Sequence, residues 1–226
     1  MKHLVVLTGA GISAESGIKT FRDADGLWEG HDVMEVATPQ GFAKNPELVL
    51  NFYNQRRKQL LSVKPNKAHI ALAALESTYK VTIITQNVDD LHERAGSSNI
   101  IHLHGELLKA RSSMNEEDIK TWKTDIQLGD LCQQGHQMRP HIVWFGEAVP
   151  MIEKAIDICE TADILVIIGT SMQVYPAASL MDFVPSQTPI YYIDPKPARV
   201  RYQKITVIPK SATEGVKNLL DFLKNP

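Results

Sequence analysis

Gly9-Ala-Gly-Ile-Ser-Ala-Glu-Ser-Gly-Ile-Lys-Thr-Phe-Arg22 follows almost at once on the apolar run His3-Leu-Val-Val-Leu7. A strand ending in closely spaced glycines lets backbone approach a pyrophosphate, and the N–H groups of a following helix terminus favour its negative charge. Gly9 and Gly11 suit that task. The spacing departs from the dinucleotide fingerprint, because Ser13, Ser16 and Gly17 follow with no third glycine at the expected place. A plain tight strand-to-helix turn is the competing reading of the glycines alone.

Outward from this stretch, short apolar runs at residues 4–7, 81–85, 100–103, 142–144, 164–168, 189–193 and 205–208 lack polar alternation, as strands covered on both faces do. Helical spacing occupies 46–62, 66–79, 150–161 and 211–224. This alternation predicts an α/β fold, a doubly wound parallel sheet with right-handed crossovers. Ligands of such sheets bind beyond the carboxyl ends of strands, where Gly9, Gln86 and Gly169 fall. Two stretches break the pattern: 24–46 reads as irregular, and 106–139 is polar and reads as an insertion. For 226 residues we expect one domain carrying a smaller inserted one.

Lys and Arg total 24 against 26 Asp and Glu, which gives no basic excess for nucleic acid. Cys132 and Cys159 are the only cysteines, too few for a disulfide framework and suited to a reducing compartment. No leader pattern opens the sequence and no apolar run reaches the roughly 20 residues that span a bilayer. A cytoplasmic protein without membrane partners is expected.

Several segments carry groups fit for chemistry. Gln86, Asn87 and Asp89 follow the run 81–85, where amides and a carboxylate can sort ribose hydroxyls and a carboxamide; equally, Asn87 can be a helix N-cap. In Ile101-His-Leu-His-Gly105, alternation sends His102 and His104 to one side, and His104 beside Gly105 is the better general base. A satisfied structural histidine is the plainer alternative. Gly169-Thr-Ser171 permits a second close backbone approach, or is an ordinary strand-end turn. Val143-Trp-Phe-Gly146 can hold a peptide by strand addition, or be a buried strand and turn. Tyr53 and Arg56, three apart, share one face of a helix that is either functional or merely solvated.

Taken in order, Gly9-Ala-Gly-Ile-Ser13 with Ser16-Gly-Ile18 and Phe21-Arg22, then Gln86-Asn-Val-Asp89, His102-Leu-His-Gly105, Val143-Trp-Phe-Gly-Glu147 and Gly169-Thr-Ser171 resemble the motifs of the sirtuin family of NAD-dependent protein deacylases. The resemblance implies a Rossmann-like doubly wound parallel sheet at about 1–23, 63–105 and 142–226, with small-domain and lid segments at about 24–62 and 106–141, and NAD and an acyl-lysine peptide meeting in the cleft between them. It implies an NAD pocket formed by Gly9, Ala10, Gly11, Ile12, Ser13, Glu15, Ser16, Gly17, Thr20, Phe21, Arg22 and Trp28, with Arg22 and the stretch 24–28 closing over the cofactor. Gln86, Asn87, Val88 and Asp89 would hold the nicotinamide ribose and carboxamide, and Gly169, Thr170 and Ser171 the second approach. Tyr192, Ile193, Asp194 and Ala212 would lie on the adenosine side, Asp194 taking a ribose hydroxyl. His104 would be the catalytic base, with Asn87 and Asp89 as its catalytic companions. Val143, Trp144, Phe145 and Gly146 would hold the peptide. The products would be free lysine, nicotinamide and an O-acyl-ADP-ribose.

Tyr53 and Arg56 match the tyrosine–arginine pair of the class III members, which take acidic acyl chains, and Ala24 leaves room for them. Succinyl and malonyl groups are therefore expected as substrates, with acetyl a weaker one. The family's usual structural zinc needs two cysteine pairs, but here Ser112 and Ser113 stand for the first and Cys132-Gln-Gln for the second. Zinc, and any metal site, is expected to be absent, with Trp122, Ile119, Ile126 and Leu131 as apolar anchors of the small domain. A monomer is expected. Two other readings stand beside the deacylase: a module that binds NAD or acyl-lysine without turnover, and an ADP-ribosyltransferase or NAD hydrolase.

Overall fold

In chain order the elements are β1 (His3–Thr8), β2 (Leu27–Trp28), β3 (His31–Asp32), α1 (Val33–Val36), α2 (Pro39–Lys44), α3 (Pro46–Ser62), α4 (Lys67–Ala74), β4 (Lys80–Thr85), α5 (Leu91–Ala95), β5 (Ile100–His102), β6 (Gly105–Ser112), β7 (Ile119–Thr121), β8 (Met138–Ile142), α6 (Ile152–Cys159), β9 (Ile164–Ile168), β10 (Ile190–Ile193), β11 (Ile205–Ile208) and α7 (Ala212–Lys224). They belong to a computed structural model that describes residues 1–20, 27–28, 30–199 and 204–224. Phe21, Arg22 and Ala24, expected at the cofactor and acyl sites, lie outside the described residues.

Six strands form a parallel sheet in the order β11-β10-β9-β1-β4-β5. The chain lays down β1, β4 and β5 toward one edge, then returns to add β9, β10 and β11 on the other side of β1. The order therefore reverses between β1 and β9, with Leu4 paired to Val81 on one side and to Ile164 on the other. All six residues of β1 are buried. Its side chains alternate between two layers. Leu4 and Val6 pack with Ala68 and Leu72 of α4 and Val216 and Leu219 of α7. Val5 and Leu7 pack with Ala155 and Cys159 of α6 and with Leu180 and Met181 of a 3₁₀ turn. Burying each such aliphatic chain is worth about 1.5–3 kcal/mol, which accounts for an apolar run without polar gaps.

A second unit sits at one end of this sheet. β7, β6 and β8 form a three-stranded antiparallel sheet, and β2 and β3 form a short hairpin. α3 packs on it, started by Asn45, whose side chain accepts from the Leu48 N–H, with Pro46 in the first turn. Asn54 of α3 clamps Ile126 twice, donating to its carbonyl and accepting from its N–H, both at 2.9 Å. Arg57 donates to the Leu107 carbonyl of β6 at 3.1 Å and to Asn54 Oδ1 at 2.7 Å.

Three sequence expectations change here. The run 142–144 is not a strand of the parallel sheet: Ile142 closes β8 opposite Gly105, while Val143 and Trp144 continue without a strand partner. Ile142 and Trp144 are buried and Val143 half-buried, an alternation that three apolar residues cannot display. The stretch 24–46 is irregular only in part, since it holds the hairpin, α1 and α2. Ile119 and Leu131 are exposed, because β7 is an edge strand and Leu131 forms only an isolated bridge. The small core is instead Leu50, Ala110, Ile126, Cys132 and Met138, with Phe42 and Trp122 against it.

Candidate active site

The carboxyl ends of β1, β4 and β9 open on one cleft of about 590 Å³, which extends between the parallel sheet and the small unit. Its floor is backbone. Gly9 N–H donates to the Ile168 carbonyl at 3.0 Å and Gly11 N–H to the Gly169 carbonyl at 2.8 Å. A Cβ on Gly11 would stand 2.5 Å from Gly169 Cα, and Gly169 itself has φ +64°. Only glycine tolerates this approach of two turns, which leaves Gly9, Ala10 and Gly11 lining the cleft without side chains in the way. At the far end, Glu15 docks the start of α7, accepting from Ser211 Oγ at 3.2 Å and Thr213 N–H at 2.9 Å. Against the opposing effect of burial, these bonds hold its carboxyl below the ordinary range.

The polar centre follows β4. Asn87 Nδ2 donates to the Gly9 carbonyl at 3.2 Å and to Ser13 Oγ at 3.3 Å, and Ser13 Oγ donates to Asp89 Oδ2 at 2.9 Å. Behind Ser13, His69 Nε2 lies at 3.5 Å. Asn87 is thus no helix cap. α5 begins at Leu91, whose N–H is taken by Asp89 Oδ1 at 3.1 Å. Burial pushes the Asp89 carboxyl up to about 6 and the His69 imidazole down to about 4. Gln86 reaches across to Thr170 Oγ1 at 3.1 Å, joining the turn after β4 to the turn after β9.

The two histidines grip consecutive carbonyls. His104 Nδ1 lies 3.0 Å from the Gln86 carbonyl and His102 Nδ1 lies 3.2 Å from that of Asn87. Their outer nitrogens differ. His104 lines the cleft, whereas His102 Nε2 is taken by Glu93 at 2.7 Å on the other side of the strand end. A carbonyl can only accept, so His104 carries its proton on Nδ1 and presents Nε2 as a base. Burial lowers its pKa from the ordinary histidine value. Burial also pulls on His102, but the Glu93 carboxylate outweighs it and raises that imidazole. Of the two histidines, His104 is the one that lines the cleft.

Beyond His104 the cleft runs onto α3. Tyr53 and Arg56 line it together with Trp28, Val143, Trp144, Phe145 and Gly146. Tyr53 packs edge-on to Trp28 with ring centroids 6.0 Å apart, and Arg56 lies over the Phe52 ring at 3.7 Å. The Phe145 N–H donates to the Ala37 carbonyl at 2.9 Å, tying the loop after β8 to the segment between α1 and α2.

The Sir2 family model matches residues 9–176, a span that includes the floor, the polar centre and the loop after β8. The chain belongs to the Sir2 family. Among its similar relatives are NAD-dependent protein deacylases of Helicobacter pylori (61% identical over 221 residues, 97% of this chain and 96% of that one) and Bacteroides thetaiotaomicron (56% over 230 residues, 99% and 98%). Among solved structures it is similar to a Sir2 homologue in complex with NAD, at 41% identity and TM-score 0.88, covering 99% of this chain and 90% of that one. It is also similar to a Sir2 protein bound to acetylated peptide, at 28% identity and TM-score 0.82, covering 98% and 93%. The six-stranded parallel sheet with a separate small antiparallel sheet is the Sir2 fold.

Within this Sir2 chain, Gly9, Ala10, Gly11, Glu15, Thr20, Trp28, Gln86, Asn87, Val88, Asp89, His104, Gly169, Thr170, Ser171 and Asp194 all reach the cleft. Ile12, Ser13, Ser16, Gly17, Tyr192, Ile193 and Ala212 do not line it. They stand behind the wall. Ile12, Ile193 and Ala212 belong to the core under the sheet. Ser16 Oγ accepts from Asn66 Nδ2, which caps α4, and Gly17 ends its turn at φ +98°. Tyr192 is buried, with its hydroxyl donating to the Thr170 carbonyl at 2.9 Å and accepting from the Ala198 N–H at 3.1 Å. It braces the second turn. The structure adds Gln59, Leu60, Glu147 and Tyr175 to the lining. Gln59 and Leu60 continue the helical stripe begun by Tyr53 and Arg56, and Glu147 closes the quoted motif, so spacing carried a signal for all three. Among the described residues, the group of three or more His, Cys, Asp or Glu ligand atoms gathered within 4.8 Å is Glu93, His102 and Glu106. Cys132, with His136 and His141, forms no such group.

The buried Asp89 sets a test. Its folded-state pKa is raised from 3.8 to about 6, so the associated stability is fully present below 3.8 and lost as pH rises through about 6. That loss is on the order of 3 kcal/mol. Asp89→Asn, neutral throughout, should therefore gain several degrees of Tm relative to the parent at pH 8 over its difference at pH 4, while activity falls. Parallel Tm curves for the two proteins across that range would contradict this account.

Proposed function

We propose that this chain is an NAD-dependent protein-lysine deacylase that removes succinyl and malonyl groups, and acetyl groups more weakly. The observation that carries the reading is that His104, Asn87 and Asp89 share one cleft with Tyr53 and Arg56. The names of its relatives and the NAD and acetyl-peptide complexes of its structural neighbours support the first part.

The glycine floor fits a dinucleotide, since it offers backbone where a Cβ would collide. Gly9, Ala10, Gly11 and the turn at Gly169, Thr170 and Ser171 would hold phosphates. Asp194 would take the adenosine ribose, and Gln86, Asn87 and Asp89 the nicotinamide end. When bound, NAD supplies the ribosyl carbon that accepts the acyl oxygen as nicotinamide leaves, so that the products are free lysine and O-acyl-ADP-ribose. His104 Nε2 takes the proton of a hydroxyl presented in the cleft. Its proton on Nδ1 stays with the Gln86 carbonyl. Asn87, tied to Gly9 and Ser13, keeps that end of the cleft ordered, and Trp28 and Trp144 add apolar lining further along, beside Tyr53.

The acyl preference rests on charge. Besides burial and the Trp144 hydrogen bond, the charges felt by the Tyr53 hydroxyl are those of Arg139, Arg56 and Glu147, two guanidiniums against one carboxylate. An acidic acyl tail entering beside Tyr53 meets net positive charge, and Arg56 can take its carboxylate in a forked pair. We also propose that the small unit holds without zinc, supported by its apolar core and by the Asn54 and Arg57 clamps. The two buried free cysteines support a cytoplasmic protein, and we take it to act as a monomer on acyl-lysine proteins.

His104→Ala should lower kcat by about 10²–10⁴ while acyl-peptide affinity stays within a few-fold. The lowered pKa places the acid limb of the parent kcat/KM profile below pH 6.5, and a limb above 7 would rule out His104 as the base. Arg56→Met should reduce kcat/KM for a succinyl-lysine peptide about 10–100-fold and for the acetyl peptide far less. An equal fall on both would remove the acidic-acyl reading. Metal analysis of protein purified without chelator should give well under one zinc per chain; near-stoichiometric zinc would reverse the zinc-free proposal.

A further inference from the structure

Trp144 donates its indole N–H to the Tyr53 hydroxyl at 2.9 Å, with both side chains buried. Indole has a donor and no acceptor, so the direction of this bond is fixed without any assumption about hydrogen positions. Tyr53 must accept, and its own proton must point away from Trp144. Among the described residues no acceptor takes that proton, and Tyr53 lines the cleft.

Trp144 is itself held on several sides. The Arg139 guanidinium lies 3.3 Å over its ring, and Phe42 packs at 5.3 Å between centroids. Glu147 accepts the Trp144 backbone N–H at 2.8 Å, both Arg139 nitrogens at 2.6 and 3.1 Å, and Arg111 at 3.1 Å. Glu147 lines the cleft, yet its carboxylate is occupied by two guanidiniums and a backbone donor. The unit therefore presents a clamped indole backed by a net positive charge.

We infer that Trp144 is a specificity-positioning residue, which aims the Tyr53 hydroxyl as a donor at the carboxylate of an acidic acyl-lysine, with Arg139 and Glu147 locking the indole. This rests on the acidic-acyl reading above and extends it from Arg56 to a second set of residues. A hydroxyl that already accepts an N–H is a stronger donor to an anion, and one that cannot rotate loses less entropy on binding. An acetyl group ends in a methyl that has no use for the donor, so the device acts on acidic chains alone.

The test compares succinyl- and acetyl-lysine versions of one peptide, by KM with NAD and by Kd from titration without it. Trp144→Phe keeps a ring for Arg139 and removes the N–H. It should raise KM and Kd for the succinyl peptide about fivefold over whatever change it makes for the acetyl peptide, with kcat shifting equally on both. In a Tyr53→Phe background the same substitution should add nothing to the succinyl-to-acetyl ratio, since the effect passes through the hydroxyl. Should Trp144→Phe not fold, benzothienylalanine at 144 removes only the N–H and carries the same expectation. A ratio unmoved within twofold, or an additive double variant, overturns the role of Trp144 while leaving the acidic-acyl reading standing if Arg56→Met still abolishes the preference. If Arg56→Met also leaves the ratio unchanged, the acidic-acyl reading falls and this inference with it.

Discussion

The contact between the turn at Gly9 and Gly11 and the turn at Gly169 is the constraint on which the other features depend. β1 and β9 are neighbours in the sheet although about 160 residues separate them, and between them the strand order reverses. Side chains would hold the two turns apart by the width of a methyl group or more, and a Cβ at Gly11 would overlap Gly169 outright. With glycine at these positions the turns bond to each other through backbone, and their outer surfaces become one polar floor. Gln86 and Asn87, delivered by β4, then reach that floor directly, and the histidines of the next strand end fix the backbone of both.

The chemistry is divided along the cleft by what each end can desolvate. At the sheet end the groups are neutral or poised: Asp89 has its carboxyl raised by burial, and His69 and His104 are lowered by it. At the α3 end the charges are permanent, and guanidiniums outnumber carboxylates around Tyr53. Leu60, Leu107 and Trp28 line the same cleft as apolar surface beside these polar groups.

Much of this was legible in the sequence. Uninterrupted apolar runs located all six strands of the parallel sheet within a residue; both faces are buried along β1, β9 and most of β4 and β10, whereas the edge strand β11 leaves Thr206 and Val207 exposed. Helix α3 was bounded to the residue, since Asn45 and Pro46 are start signals and Val63 turns extended. The run at 142–144 misled because a three-residue apolar patch cannot distinguish a sheet interior from a small-domain core. The residues behind the wall, such as Ser13, Ile193 and Tyr192, could not be separated from those on it, because that distinction is made by packing depth across chain segments. Glu147 was visible as part of a motif, but its engagement with Arg111 and Arg139 depends on the pairing of β6 with β8, which no local pattern encodes.

Arg56 and Arg57 are adjacent in sequence and serve different faces of the same helix. One helical step turns about 100°, so Arg56 faces the cleft while Arg57 is buried against the small sheet, its guanidinium drawn down to about 10 by burial. The same step separates Tyr53 from Asn54, the first in the cleft and the second clamped to Ile126. Cleft lining and scaffolding are thus interleaved residue by residue along one helix. A one-residue insertion before position 53 would turn Tyr53 and Arg56 into the places of Asn54 and Arg57 and carry Asn54 and Arg57 a further step away from Ile126 and Leu107, so this helix can vary by substitution but not by a shift of frame.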